Sequence, residues 1–310
     1  MTEIRHTIGT DPEFFLERED GKLISAVGII SGTKMKPETM DCGSALQFDN
    51  VAVEFATPTA KSAEEMVDHI RNTFTELMTK IPKGHNIVAK PSAIFDTDQL
   101  QTEEALLFGC EPDFDAWKVQ ENEKPQATNA NFRSCGGHLH VGHVPGDGTE
   151  FLLQPFGKIH AVRMMDAFHG IASTLLDSSV EAIARRELYG KAGCHRPTNY
   201  GVEYRTLSNF WMKSPQLVML VDSFTTDVLN YLRSCCYEDI TSIAPGPELI
   251  QEIGESELPR IINLGDVSAA EKVLNGFVRN YMSEDSLKYL EYCREKITDF
   301  DLVQEWTVGQ

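Results

Sequence analysis

The spacing of apolar and polar residues changes period along the chain. Near the start it is the two-residue period of strands. Thr7-Ile8-Gly9 leads into Phe14-Phe15-Leu16, Glu19-Asp20-Gly21-Lys22 is a hairpin-type turn, and Val51-Ala52-Val53-Glu54-Phe55 reads as a further strand. From Ser62 the period turns helical. Val67, Ile70, Phe74, Leu77 and Ile81 share one helix face, Ser62 and Glu65 form a capping-box pattern, and Pro82 ends the run. Residues 96–108 read as a short helix with a loop, and residues 118–131, polar and unpatterned, as a mobile loop.

Further on, His138 to Val141 reads as a short strand and residues 158–177 as one amphipathic helix. Residues 189–200, rich in Gly, Pro and Asn, read as a loop, and Val202 to Leu207 as another strand. Ser214-Pro215 opens a helix to about Leu232, with proline in its first turn. Beyond Pro245 the pattern is helical, including a helix from about Ala269 to Met282. This order predicts an α+β fold on a largely antiparallel sheet packed by helices. Residues 1–234 form its main domain, and residues 235–310 are a helical C-terminal extension packed on it.

Composition narrows the function classes. The chain has 310 residues and no apolar run able to span a bilayer. Met1-Thr2-Glu3-Ile4-Arg5-His6 lacks the basic and apolar regions of a signal peptide, so a cytoplasmic location is expected. The seven cysteines are odd in number and include no CxxC pair, which favours reduced thiols over disulfides or a cysteine zinc site. A net charge of −19 argues against direct nucleic-acid binding. The acidity belongs either to a solvated surface or to a site that needs cations.

Several residues have the chemistry for such a site. Asp11 and Glu13, two apart in a strand, share one face. They are either a solvent-facing acidic strand or oxygen ligands for Mg²⁺ or Mn²⁺. Glu54, inside an apolar strand, faces either water or a cation, and Asp49 and Asn50 lie just upstream. Glu111 and Asp113 repeat the first pair in a Gly-x-acid-Pro-acid-Phe echo. In Gly136-Gly137-His138-Leu139-His140-Val141-Gly142 two histidines share a face beside glycines that admit close approach. They suit a metal, phosphate oxygens or plain structural hydrogen bonds, and with His143 they make an HxHxxH pattern that fits a zinc hydrolase. Glu203 and Arg205 share a strand face and suit a metal–phosphate site, or a simple ion pair. The segment Gly84 to Pro91 lacks the second glycine of a phosphate-binding loop, and GxGxxG, HExxH and GxSxG are absent.

The motif order resembles glutamine synthetase, from the acidic first strand through Val53-Glu54-Phe55 and Gly137-His138-Leu139-His140 to Glu203-Tyr204-Arg205. It is more similar still to the phage-type carboxylate–amine ligases of the glutamine synthetase and glutamate–cysteine ligase fold. The hallmarks GxDPEF, DNxxxEF, GCxPDF, GGHxHxG, RRxxYGKAGxxR and GxEYRxLSNFW lie in order over residues 9–211. The resemblance implies a curved sheet of glutamine synthetase-like type and an ATP- and Mg²⁺-dependent ligase that forms an amide through an acyl phosphate. It implies Glu13 and Glu54 on one cation, and Asp11, His138 and Glu203 on another nearer ATP, with Mn²⁺ as a substitute. It places His140, Lys191, Asn50 and Arg205 toward the nucleotide, Arg186, Arg196, Arg205 and Glu54 at the chemistry, and Glu111 and Asp113 toward the substrate. Asp11 stands where the synthetase has Glu, and the ammonium-site residues have no counterpart, so the amine differs from free ammonia. The implied partners are ATP, a carboxylate and an amine in a host cytoplasm, with no membrane; homo-oligomers are common in this fold. Alternatives are a guanidino kinase-like phosphotransferase, the zinc hydrolase, and a non-catalytic binding protein derived from a ligase.

Overall fold

A computed structural model of the chain describes residues 5–106, 112–235 and 246–307. Its strands are β1 (Thr7–Thr10), β2 (Glu13–Arg18), β3 (Leu23–Ile24), β4 (Glu38–Thr39), β5 (Ala45–Asp49), β6 (Ala52–Ala56), β7 (His85–Val88), β8 (Ser92–Ile94), β9 (Phe114–Asp115), β10 (Gln120–Glu121), β11 (Phe132–Ser134), β12 (Leu139–Gly142), β13 (Cys194–Pro197) and β14 (Gly201–Tyr204). One sheet runs β1-β12-β14-β13-β9-β10 and a second runs β3-β2-β6-β5-β4, with β7 also on β2. β8 and β11 pair separately. The ladders are antiparallel, both in the close hairpins β5–β6 and β13–β14 and between strands far apart in the chain such as β1 and β12.

The acidic segment near the start is not one strand. Pro12 has no N–H for a ladder, and the chain changes sheets there: β1 joins the first sheet and β2 the second. Asp11 therefore goes with one sheet and Glu13 with the other. The expectation of a single shared face is corrected by this switch.

The helices follow the apolar periods closely where those are long. α1 (Ala63–Lys80) starts at Ser62, whose hydroxyl accepts from Glu65 N, while the Glu65 carboxylate accepts from Lys61 N. After the short α2 (Glu103–Leu106), the expected helix over 158–177 is α3 (Pro155–Met165) and α4 (Ile171–Leu176), joined by a π-helical turn at Asp166–Gly170. α5 (Val180–Leu188) was not legible as a helix, and β13 lies inside the segment expected to be a loop. Both are short, and β13 exists through its pairing with β14 and β9. β10 likewise falls within the polar stretch 118–131. α6 (Pro215–Ser234) has Pro215 at its start and Ser214 as its cap.

Helices continue through α7 (Glu248–Ile253), α8 (Glu257–Leu264), α9 (Val267–Gly276), α10 (Glu284–Lys296) and α11 (Leu302–Thr307). The helix expected to reach Met282 stops at Gly276, and a 3₁₀ turn follows at Val278–Tyr281. One apolar cluster extends from Ile8 to Trp306. In it Trp306 stacks on Phe74 of α1 at 5.9 Å and donates from its indole to Met212 O. No described helix is long and apolar enough to cross a membrane.

Candidate active site

The first sheet lines up one group of polar residues. Its register pairs Gly9 with His140, His140 with Glu203, and Glu203 with Arg196. Directly opposed residues share a face, so the last three project together. Gly9 has no side chain to compete with His140 at this rung, where an added Cβ would meet the His140 Cβ at 3.7 Å. Asp11, at the sheet switch, brings its carboxylate to the same place. Ligand-type atoms of Asp11, His140 and Glu203 all lie within 4.8 Å of one another. His138 Nδ1 is 3.1 Å from Asp11 Oδ1 and 3.6 Å from Glu203 Oε1. Arg205 donates to Glu203 and lies 3.2 Å from His138 Nδ1, and Arg196 Nη1 is 3.4 Å from Glu203. Tyr200 OH is 2.6 Å from His140 Nδ1.

The second sheet assembles another group from Glu13, Asp49 and Glu54, also within 4.8 Å of one another. Glu13 and Glu54 are opposite across the β2–β6 ladder, and Asp49 ends the neighbouring strand. Glu13 accepts from Gly136 N at 2.7 Å and Glu54 from Gln47 Nε2 at 2.7 Å. Gly136 is required by packing, since an added Cβ would lie 2.5 Å from His138 Nε2.

The two groups differ electrostatically. Burial, then repulsion from Asp11, Glu13 and Asp49, pushes Glu54 well above the usual carboxylate range. Burial and Asp49 also raise Glu13, although His138 opposes them. Burial works upward on Asp11 too, but His138 and His140 outweigh it and hold Asp11 below the usual range. At Glu203 burial is outweighed by His138 and Arg205. Asp11 Oδ1 is buried between two imidazoles, 3.1 and 3.3 Å away, without a well-aligned hydrogen bond. Crowded carboxylates and this oxygen make an oxygen-rich donor set suited to hard divalent cations.

A cleft of about 690 Å³, including open solvent, runs beside these groups. Glu13, Asp49 and Asn50 line it with Arg133, Arg185 and Arg205. Asn50 has φ 57° and its Oδ1 accepts from Arg133 Nε at 2.7 Å. Asp113 also lines the cleft, 3.4 Å from Arg205 Nε and accepting from Asn122 Nδ2 at 2.9 Å. Glu111 lies outside the described residues. Lys191 is exposed in a neighbouring hollow that shares Asp113 and Tyr189 with the cleft.

Two placements depart from the sequence pattern. Arg186 is buried away from the cleft and donates to Asp177 O, whereas its neighbour Arg185 lines the cleft. Adjacent helical residues point about 100° apart, so only one of the pair reaches it. His143 faces Thr149 Oγ1 at 3.2 Å and is not part of the His140 group. The three-histidine zinc arrangement is therefore not assembled. Arg133 and Tyr200 carried no periodic signal, and each reaches the site only through tertiary packing.

The fold is similar to that of solved structures. The glutamate–cysteine ligase of Francisella tularensis in complex with AMP matches with a TM-score of 0.50 at 10% identity, covering 98% of this chain and 84% of that one. The chain has that α+β fold of antiparallel curved sheets and helices. A bifunctional glutathione synthetase from Pasteurella multocida (TM-score 0.47, 10% identity, 97% of this chain) and GmaS without ligand (0.46, 14%, 99%) also match. The chain spans 56% of the former's length and 73% of the latter's. No curated protein matches the sequence itself. Residues 126–241 match the family described as phage phiEco32-like COOH.NH2 ligase-type 2. Over that segment the chain is similar to the phage-type carboxylate–amine ligases, the resemblance that its motifs carry.

Proposed function

We infer that the protein is an ATP- and Mg²⁺-dependent ligase joining a carboxylate to an amine through an acyl phosphate. The observation that carries this is the pairing of two carboxylate-rich groups with cleft arginines. Glu13, Asp49 and Glu54 would hold one divalent cation, and Asp11, Glu203 and the two histidines another. Cations bound there would neutralise the phosphate oxygens of ATP.

Each side chain then has a task. Arg205 and Arg196 face charge developing on the transferred phosphoryl group. His140, Asn50 and Lys191 contribute to holding the nucleotide. A substrate carboxylate oxygen attacks the γ-phosphorus, the bridging oxygen leaves with ADP, and an acyl phosphate forms. The amine nitrogen attacks the acyl carbon, phosphate departs, and the surplus proton passes to a nearby carboxylate, a role we assign to the cleft-lining Asp113. Arg186 serves indirectly by holding Asp177 O, and residues 235–310 support the catalytic part. A host cytoplasm is the setting this reading implies.

The test is ADP release that requires both a carboxylate and an amine. No turnover across a broad amine panel, with Mg-ATP bound, would overturn the assignment. Phosphorylated acceptor without amide, seen by mass spectrometry, would move it to phosphotransfer.

A further inference from the structure

Behind the sheet that carries the first polar group lies a buried carboxylate that the proposed chemistry does not use. Asp166 is fully buried in the π-helical turn between α3 and α4. Its Oδ1 accepts from Tyr204 OH at 2.7 Å and from Thr206 Oγ1 at 3.3 Å, and its Oδ2 accepts from Trp117 Nε1 at 2.6 Å. Tyr204 and Thr206 alternate along the chain with Glu203 and Arg205, so the first pair faces Asp166 and the second faces the site. Trp117 belongs to the segment that carries Asp113 and β9. One carboxylate thus joins, from behind, the two segments that bring Arg205 Nε to 3.4 Å from Asp113.

The surroundings are built around this junction. Ile171 N donates back to Asp166 O across the π turn, which widens the helix there. Gly170 in that turn leaves room for the phenol: a Cβ would lie 3.2 Å from Tyr204 OH and 2.6 Å from Ile262 Cδ1. Arg163, on the same helix, donates from Nε to Ala116 O at 3.0 Å, and its guanidinium lies 5.1 Å from the Trp117 ring. Asp115 Oδ1 accepts from Trp117 N at 2.8 Å and fixes the turn that presents the indole. Burying a carboxylate here is costly, and a well-packed apolar side chain would serve stability as well. What an apolar side chain cannot supply is a directional link between two segments.

Resting on the ligase reading, the geometry points to Asp166 as a positioning residue for Arg205 and Asp113. It touches no reacting group. Its two oxygens set the spacing between the arginine that faces the phosphoryl group and the carboxylate that takes the amine's proton. Asparagine has one acceptor oxygen in place of two, so it cannot accept from the indole and from the Tyr204 hydroxyl through separate oxygens. Asp166→Asn therefore loosens one arm at near-constant volume, and Trp117→Phe removes the indole arm alone.

The experiment uses the full chain and two readouts. One is the side-chain ¹⁵N–¹H resonance of Arg205 Nε, assigned by its loss in Arg205→Lys. The other is kcat and the KM for ATP in carboxylate- and amine-dependent ADP release. Asp166→Asn and Trp117→Phe should each shift the Arg205 resonance and lower kcat about tenfold, with KM for ATP within about twofold of wild type. The double variant should be about as active as the slower single one, because both act on one link. Ser62→Ala, which loosens the cap of α1, should leave the resonance and kcat unchanged. The inference is overturned if the resonance stays in place in both single variants, if Ser62→Ala moves it equally, if kcat is unchanged in both, or if the double variant loses the product of the two single losses. Should Trp117→Phe fail to fold, Asp166→Asn decides. A wild type without turnover counts against the ligase reading alone, and the Arg205 resonance still judges the junction.

Discussion

Glu54 shows how one residue can signal a site through its cost. It is one of three carboxylates gathered across two strands, and burial plus repulsion disfavours its charge. Glu54→Gln keeps the shape and removes that charge. Mn²⁺ affinity, followed by paramagnetic resonance, should fall about tenfold or more. The melting temperature in excess chelator should rise, because like charges no longer crowd. Arg205 is the converse case, with Glu203, His138 and Asp113 around a single guanidinium. Arg205→Lys loses the planar fork, and carboxylate- and amine-dependent ADP release should drop roughly a hundredfold.

At the scale of elements, the π turn between α3 and α4 has a definite job. It carries Asp166 against the reverse face of β14, where Tyr204 OH and Thr206 Oγ1 donate to Oδ1 and Trp117 Nε1 donates to Oδ2. Glu203 and Arg205 project from the opposite face of that strand. Burial raises Asp166 from its ordinary 3.8 to about 7, against these hydrogen bonds. A raised folded value means stability that is complete below pH 3.8 and lost as pH rises toward 7. The loss approaches about 1.4 kcal/mol per pH unit within that window. Urea unfolding from pH 4 to 8 should show that decline in the wild type relative to Asp166→Asn, with the difference flat above 7. The cap of α1 gives a simpler expectation: Ser62→Ala removes the acceptor for Glu65 N and should cost about 1 kcal/mol in the same assay.

At the scale of the molecule, the C-terminal helices share the core of the sheets they pack on. Trp306 is 1% exposed and stacks on Phe74, which itself meets Phe14 and Phe55 behind the acidic strands. Trp306→Ala leaves a large void and should destabilise the chain by about 3–5 kcal/mol, read from chemical denaturation. If the void loosens β2 and β6, Mn²⁺ affinity at Glu13 and Glu54 should fall with it, although Trp306 touches neither.

The sequence by itself determined the long helices, because an apolar face repeated over several turns allows one solution. It also made the candidate residues legible, since Asp11, Glu13, Glu54, His138, His140, Glu203 and Arg205 all sit in short motifs. Tertiary structure alone decided their grouping. Whether Asp11 joins Glu13 depends on a sheet change at Pro12, whether Arg185 or Arg186 enters the cleft depends on how α5 is rotated, and β13 exists only because β14 and β9 flank it. Such choices are set by long-range pairing, and no local period encodes them.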